Sequence, residues 1–462
     1  VTLAVLSWPS LAVALAIGAV LGAGVVLLIR RPVRAPNERA AAPTVLPAGT
    51  SERADGTAGV ASSAGRRRDD ASRNGGWTGI VSGDRAVRVD DLGVRRLDAF
   101  DGPHGRTWAV DAPGLVAVAG WSERRAGRGE DAEPTLRLHP DGRAVLGVYD
   151  GAGGAGAAVA RRLRDGTELS GAFVASRLVR DVVERWTALD RCPPSAGPGP
   201  ATAGPAGVTA VGGTSTPSVG PVDVTALHDR LGRALRAEAE SIPTPPTSVR
   251  GSLHRTLPTT AAIVTVTPGR GPDAFVVDAV WAGDSRGFVL SAVDGLQALT
   301  VDDVRETDAL VALRDDPPMT NLLAADREFD LHHRWFERHG PAVLLAATDG
   351  CFGYVATPAH FEYLLLDTLL AAEDAADWAA RMIDELGRFT ADDASFALLS
   401  IGYEDFASLR RSFRDRHTAL ADGHWAPYQA ASGAERERLR STSWSAYRVP
   451  YEALQPTRPE ST

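Results

Sequence analysis

Apolar residues fall along this chain in two rhythms. Short, nearly continuous apolar runs recur at Leu115–Ala119, Ala144–Tyr149, Ala261–Thr267, Ala274–Ala282, Phe288–Ala292, Ala342–Ala347 and Phe396–Ile401. Runs of this length with few polar interruptions predict strands buried within a sheet. Two longer segments, Leu169–Leu189 and Val222–Glu240, space their apolar residues for helices. Strands arrive in groups separated by helix pairs, which predicts an α+β layering over strict βαβ alternation. After Tyr403 an Arg-rich helical stretch leads into a tail with Trp425, Tyr428, Trp444, Tyr447 and Tyr451. Such a tail is expected to pack on its own domain.

The ends of the pattern are different. Leu11 to Ile29 holds no charged residue, and at helical rise it would extend about 28 Å, close to a bilayer core. Arg30, Arg31 and Arg34 follow at once while no charge precedes, so the positive-inside bias predicts a single-pass anchor in the cell membrane with the bulk of the chain cytoplasmic. A cleaved signal or a buried helix is the competing reading. Residues 32–76 are rich in Ala, Pro, Ser, Gly and Arg without periodicity, and read as a disordered tether. A second low-complexity stretch, 193–221, reads as a flexible insert inside the domain because helix-like segments flank it. The division expected is an anchor at 1–31, a linker at 32–76, a globular domain at 77–402 and a helical, aromatic tail at 403–462.

Composition narrows the function. The chain has 462 residues, 44% of them hydrophobic, enough for one large core. Its formal net charge is −9, which gives no footprint for a nucleic-acid partner. Every one of the 49 basic residues is arginine. Cys192 and Cys351 match no zinc-ligand spacing and fit a reducing compartment.

Chemistry concentrates at strand ends. Gly151–Ala152–Gly153–Gly154–Ala155–Gly156 follows an apolar run and formally matches a dinucleotide-binding GxGxxG. Asp150 stands where a pyrophosphate would approach, which counts against that oxidoreductase reading. As a carboxylate at a strand end, Asp150 has companions in Asp284, Asp349, Asp392 and Asp393. Singly, each reads as a turn former; together they form the hard-oxygen donor set that Mg²⁺ or Mn²⁺ takes.

At these positions the chain resembles the phosphatase 2C (PPM) family of metal-dependent serine/threonine protein phosphatases. GVYDGAGG (147–154) is similar to that family's DGxGG motif and AGDSRGFVL (282–290) to its GDSR strand. LLAATDG (344–350) resembles its LxxSDG segment, DDAS (392–395) its terminal DN motif, and GRGEDAEP (127–134) its upstream ED motif. PTT (258–260) stands where the family often has a GTT-type strand start, and the likeness covers roughly Leu115 to Ile401. The fold it implies is a pair of stacked antiparallel sheets flanked by helices, here preceded by one transmembrane helix. The activity it implies is hydrolysis of phosphoserine and phosphothreonine by a water activated between two metal ions.

Carried over residue by residue, the resemblance makes Asp150 the bridge between two Mn²⁺ or Mg²⁺ ions, with the Gly151 carbonyl on the second. Asp349 and Asp392 would hold the first ion, Glu130 would reach the second through water, and Asp284 with Asp349 would serve a weaker third. Asp131 and Asp393 would stand behind the ligands. Four departures are visible: Ala152 replaces a proposed proton-donating His, Ala126 stands where the phosphate-binding Arg is usual, Gly353 where a third-metal Asp occurs, and Asp393 where Asn is common. Arg124, Arg125 and Arg128 are nearby substitutes for the phosphate-binding Arg, with Arg125 the preferred one. Asp150, Asp349 and Asp392 are all retained, which favours a working enzyme; the alternative is a catalytically impaired scaffold that binds phosphoproteins at the membrane. Phosphorylated proteins are the expected partners, with a Ser/Thr kinase or its targets as the family's expectation, and the chain is expected to be a monomer. REFDLHHRWFERHG, with His332 and His333, reads as surface-helix or flap packing, and Cys351 as a small apolar residue.

Overall fold

The computed structural model describes residues 99–189, 222–242, 255–269, 271, 273–305, 308, 310–311 and 318–456, all within one compact unit spanning residues 84–462. The expected anchor at 11–29, with Arg30, Arg31 and Arg34, the tether at 32–76 and the insert at 193–221 lie outside the described residues. Among the described residues no helix is long and apolar enough to cross a membrane.

In chain order the strands are β1 (Ala99–Asp101), β2 (Arg106–Ala112), β3 (Leu115–Ser122), β4 (Thr135–Leu138), β5 (Ala144–Val148), β6 (Val159–Arg162), β7 (Glu168–Ser170), β8 (Ala261–Pro268), β9 (Ala274–Ala282), β10 (Arg286–Ser291), β11 (Gly295–Ala298), β12 (His332–His339), β13 (Ala342–Ala347) and β14 (Ala394–Ile401). The helices are α1 (Gly153–Gly156), α2 (Gly171–Leu189), α3 (Val224–Ser241), α4 (Asp349–Phe352), α5 (Pro358–Ala371), α6 (Ala375–Phe389), α7 (Phe406–Ser412), α8 (Arg414–Leu420), α9 (Ala426–Ala430) and α10 (Gly433–Glu452). One sheet has the order β1-β2-β3-β14-β13-β10-β11, the other β12-β9-β8-β5-β4, and β6-β7 forms a small hairpin. Every pairing among these strands is antiparallel. That removes the dinucleotide-binding reading, which needs a parallel sheet opening onto a helix. The GxGxxG segment supplies only the single turn α1.

Period-two alternation splits the central strands between two cores. In β13, Ala342, Leu344 and Ala346 join Leu146, Val264 and Val277 of the five-stranded sheet in the layer between the sheets. Val343, Leu345 and Ala347 face the other way, onto Phe361 and Leu365 of α5 and Trp378, Met382 and Ile383 of α6. Continuous apolar strands are therefore what a doubly covered sheet requires. Asp374 starts α6 by accepting the Asp377 amide at 2.8 Å, and Thr357 caps α5 ahead of Pro358. On the far side α2 is tied to β4 by an Arg137–Glu184 ion pair of 2.7 Å. The layers run helix, sheet, sheet, helix.

One stretch differs from expectation. His332–His339 is a strand, not a helix, pairing with β9 along its length from His332↔Trp281 to His339↔Ala274. The segment after Tyr403 is helical, and Trp444, Tyr447 and Tyr451 of α10 lie in the same core as Phe288 and Phe361. A boundary at 402 would therefore divide one core.

Candidate functional site

Strand register alone gathers the acids. Val148↔Ala262 and Ala261↔Ala282 bring the ends of β5 and β9 to either side of Thr260. Ala347↔Phe396 sets Asp349 beside the segment before β14, and Ala394↔Ser122 brings the loop after β3 to the same end of the sandwich. Sequence separations above 200 residues thus collapse onto one rim. Asp150 follows β5, Asp284 follows β9, Asp349 opens α4, Asp392 and Asp393 precede β14, and Glu130 and Asp131 lie in the loop after β3.

Backbone contacts hold these segments in place. The Asp150 carbonyl accepts the Thr260 amide at 2.7 Å and the Thr259 hydroxyl at 2.6 Å. These threonines are delivered by Leu257, which sits at φ 56°, a conformation that costs a bulky side chain on the order of 1–3 kcal/mol. Gly283 turns the chain into Asp284 at φ 91°, and a Cβ there would lie 2.5 Å from the Thr260 methyl. Gly153 leaves room for Glu130, because a Cβ at 153 would collide with that carboxylate.

The side chains form one anionic cluster. Asp131, 2% exposed, accepts the Thr348 hydroxyl at 2.8 Å and hydrogen-bonds Asp150. Burial lifts both aspartates well above the ordinary carboxylate range, and mutual repulsion adds to it. Asp284 and Asp392 also push Asp150 upward, and Asp349 and Asp393 push Asp131. Glu130 is raised by burial and by Asp393 and Asp392, while the Ser170 hydroxyl, donating at 2.6 Å, works the other way. Asp393 turns its carboxylate to the loop after β3, accepting the amides of Arg124 at 2.7 Å and Glu130 at 2.5 Å. Asp131 and Asp393 therefore brace their neighbours, as Ser170 and Thr348 do.

An all-carboxylate set with a backbone carbonyl beside it fits Mg²⁺ or Mn²⁺ in donor chemistry. The acids are gathered but not closed. Among the described residues no three Asp, Glu, His or Cys side chains are arranged to hold one ion. The raised carboxylates repel one another, and a divalent cation would relieve that repulsion. Asp150, Gly151, Glu130, Asp284, Asp349 and Asp392 lie on this rim.

The structure adds a cation that sequence reasoning missed. Arg177 of α2 stacks on Phe173, with its guanidinium 3.4 Å from the ring centroid, and donates to the carbonyls of Gly129 at 3.0 Å and Glu130 at 3.3 Å. Burial lowers its pKa to about 10. Nothing in the spacing of α2 marks Arg177, since an arginine at helical spacing reads as surface. Arg125 is exposed, and its guanidinium bonds to no described residue. Cys351 is buried beside Asp131 and Asp349, and burial pushes its thiol far up, as suits an inert apolar residue. His332 stacks on Trp281 at 5.2 Å and bonds Asp303 at 2.7 Å, and Asp303 also accepts the Gly283 amide at 2.9 Å. His333 pairs with Asp278 at 2.6 Å. These contacts pin β12 and the Asp284 turn.

No protein-family profile matches the chain, and no curated protein matches it. Solved structures do align. A bacterial serine phosphatase shares 15% identity over 64% of this chain and 98% of its own, with a TM-score of 0.38. The serine/threonine phosphatase PstP/Ppp of Mycobacterium tuberculosis shares 18% over 65% of this chain and 100% of its own, at 0.37. The PPM Ser-Thr phosphatase MsPP of Mycobacterium smegmatis, solved with cacodylate, shares 15% over 63% of this chain and 100% of its own, at 0.39. At these identities and scores the likeness transfers no residue's role to this chain.

Proposed function

We propose that the chain is a metal-dependent phosphatase of phosphoserine and phosphothreonine in proteins, held at the membrane through residues 11–29 with its phosphatase unit cytoplasmic. One observation carries the reading: acids from five separate segments meet at one end of the sandwich as a partly buried, mutually repelling cluster. Asp150, the Gly151 carbonyl, Asp349 and Asp392 would hold two ions, with Glu130 contributing through water and Asp284 at a weaker third site. When bound, Mn²⁺ or Mg²⁺ would lower the pKa of water and neutralise charge on the phosphoryl oxygens. Asp131 aims Asp150 through the hydrogen bond between them. Thr348 fixes Asp131, and Asp393 fixes the Glu130 amide. Arg125, exposed on the neighbouring loop, is the residue to grip the phosphoryl group. A buried thiol at Cys351 makes a covalent cysteinyl route chemically poor.

The test is Mn²⁺- or Mg²⁺-dependent phosphopeptide turnover by the full chain, abolished by chelator. Asp150→Asn and Asp349→Asn should each lower turnover by roughly a hundredfold or more, since each removes a shared ligand. Full activity in either variant would sink the assignment. The unclosed acids and Ala152 favour one second reading, the phosphoprotein-binding scaffold. Phosphopeptide binding without turnover at saturating metal would decide for it.

A further inference from the structure

We propose that the loop from Glu123 to Gly129 is a second anion subsite, selecting phosphopeptides with a further acidic or phosphorylated side chain close to the phosphoserine or phosphothreonine. This specificity rests on the phosphatase reading above. Arg124, Arg125 and Arg128 are all exposed here, three cations within five positions of a chain whose net charge is −9.

What makes this loop more than a solvated basic turn is where its own carboxylates point. Asp393, at the acid cluster, accepts the amides of Arg124 at 2.7 Å and Glu130 at 2.5 Å, clamping both ends of the loop. Glu123 accepts the amides of Gly127 at 2.5 Å and Gly129 at 3.0 Å, clamping its middle. Arg128 closes a turn by donating its amide to the Arg125 carbonyl at 2.9 Å. Both nearby acids are thus taken up by backbone N–H groups, and the three guanidiniums form no ion pair with a described residue. Arg106, Arg137, Arg286 and Arg416, by contrast, each sit on a carboxylate.

A loop with three exposed like charges, whose one carboxylate, Glu123, is turned to backbone amides, and which is anchored to the acid cluster through Asp393, is a pre-organised receiver for an anion. Arginine's planar fork matches carboxylate and phosphate alike. One arginine, Arg125, serves the phosphoryl group undergoing hydrolysis. Arg124 and Arg128 remain for a neighbouring anionic side chain, a group that the anionic cluster itself would repel.

The experiment compares kcat/KM of the full chain with Mn²⁺ on three phosphoserine peptides, differing only in flanks that are neutral, acidic or singly phosphorylated. Exposed ion pairs are individually weak, so the native enzyme should favour either anionic flank by roughly threefold to tenfold. That ratio should fall towards one as salt rises to about 0.5 M. The Arg124→Gln/Arg128→Gln double variant, with native melting temperature, should show a ratio near one at any salt. A native ratio at or below one, or a ratio that survives in the double variant, overturns the subsite. If no peptide is hydrolysed, the phosphatase reading falls, and the same peptides are measured by fluorescence anisotropy. A binding preference for anionic flanks that the double variant loses still upholds the loop, and no preference overturns it.

Discussion

His360 shows how one side chain writes itself into the pH dependence of the whole fold. It is 3% exposed, packed edge-on to Trp425 at 5.2 Å and against Tyr428 at 4.6 Å. Burial lowers its pKa to about 4, and the charges of His424 and Arg440 add to that, while a hydrogen bond with the His424 backbone works the other way. A folded pKa below the unfolded value means that the unfolded chain takes the proton first. Stability is then intact above about 6.5 and lost as pH falls from there to about 4, by up to about 3 kcal/mol. Denaturant midpoints measured across that window should decline in the native chain and decline less in His360→Leu. Equal slopes would show that other groups govern the acid limb. The acid cluster was legible in the sequence because each member stands beside a turn residue at the end of an apolar run. Its supports were not. Arg177, Ser170, Thr348 and Thr259 acquire their roles from contacts 40 to 217 residues away along the chain, which no local pattern records.

Among the elements, the doubly covered strands β3, β5, β8, β9, β13 and β14 were readable as apolar runs, and α2 and α3 as helical periodicity. The edge and near-edge strands were not. In β2, RTWAVDA alternates polar with apolar, and in β12, HHRWFERH exposes every second residue, so neither looks like buried sheet. Helix α10 carries the clearest prediction at this scale. Tyr451 donates no apolar bulk alone; its hydroxyl meets Arg286 at 3.1 Å, and Arg286 also pairs with Asp302 at 2.6 Å and lies 4.3 Å over the Phe352 ring of α4. Glu362, fully buried, is neutralised by Arg416 at 2.8 and 2.9 Å and by the Tyr447 hydroxyl. Removing one large buried aromatic costs about 3–5 kcal/mol. Losing Trp444, Tyr447 and Tyr451 together exceeds or matches the 5–15 kcal/mol that holds a typical domain. A chain ending at 402 should therefore fail to unfold cooperatively, whereas one ending at 456 should melt like the full chain. A sharp melt from the shorter chain would show that α10 is dispensable.

For the molecule as a whole, the acid rim joins stability to cation supply. Glu130, Asp131 and Asp150 have raised folded pKa values, so these three groups bind more protons in the folded chain than in the unfolded one above about pH 4. Their contribution is present at low pH and is lost as pH rises through the raised values. A cation replaces those protons. The melting temperature gained on adding Mn²⁺ should therefore widen as pH climbs towards neutrality, reaching about 2.7 kcal/mol of added stability at a hundredfold excess over Kd. A gain that is flat with pH would separate ion binding from these three acids. The closing of the core by α10 also sets an order in time. Arg286 and Glu362 meet Tyr451 and Tyr447 only after the ribosome has passed those positions. Nascent chains therefore carry two buried-to-be charges without their aromatic partners until residues 447 and 451 have been made. Translation that stalls ahead of residue 444 should yield a protease-sensitive product, whatever the state of the acid rim.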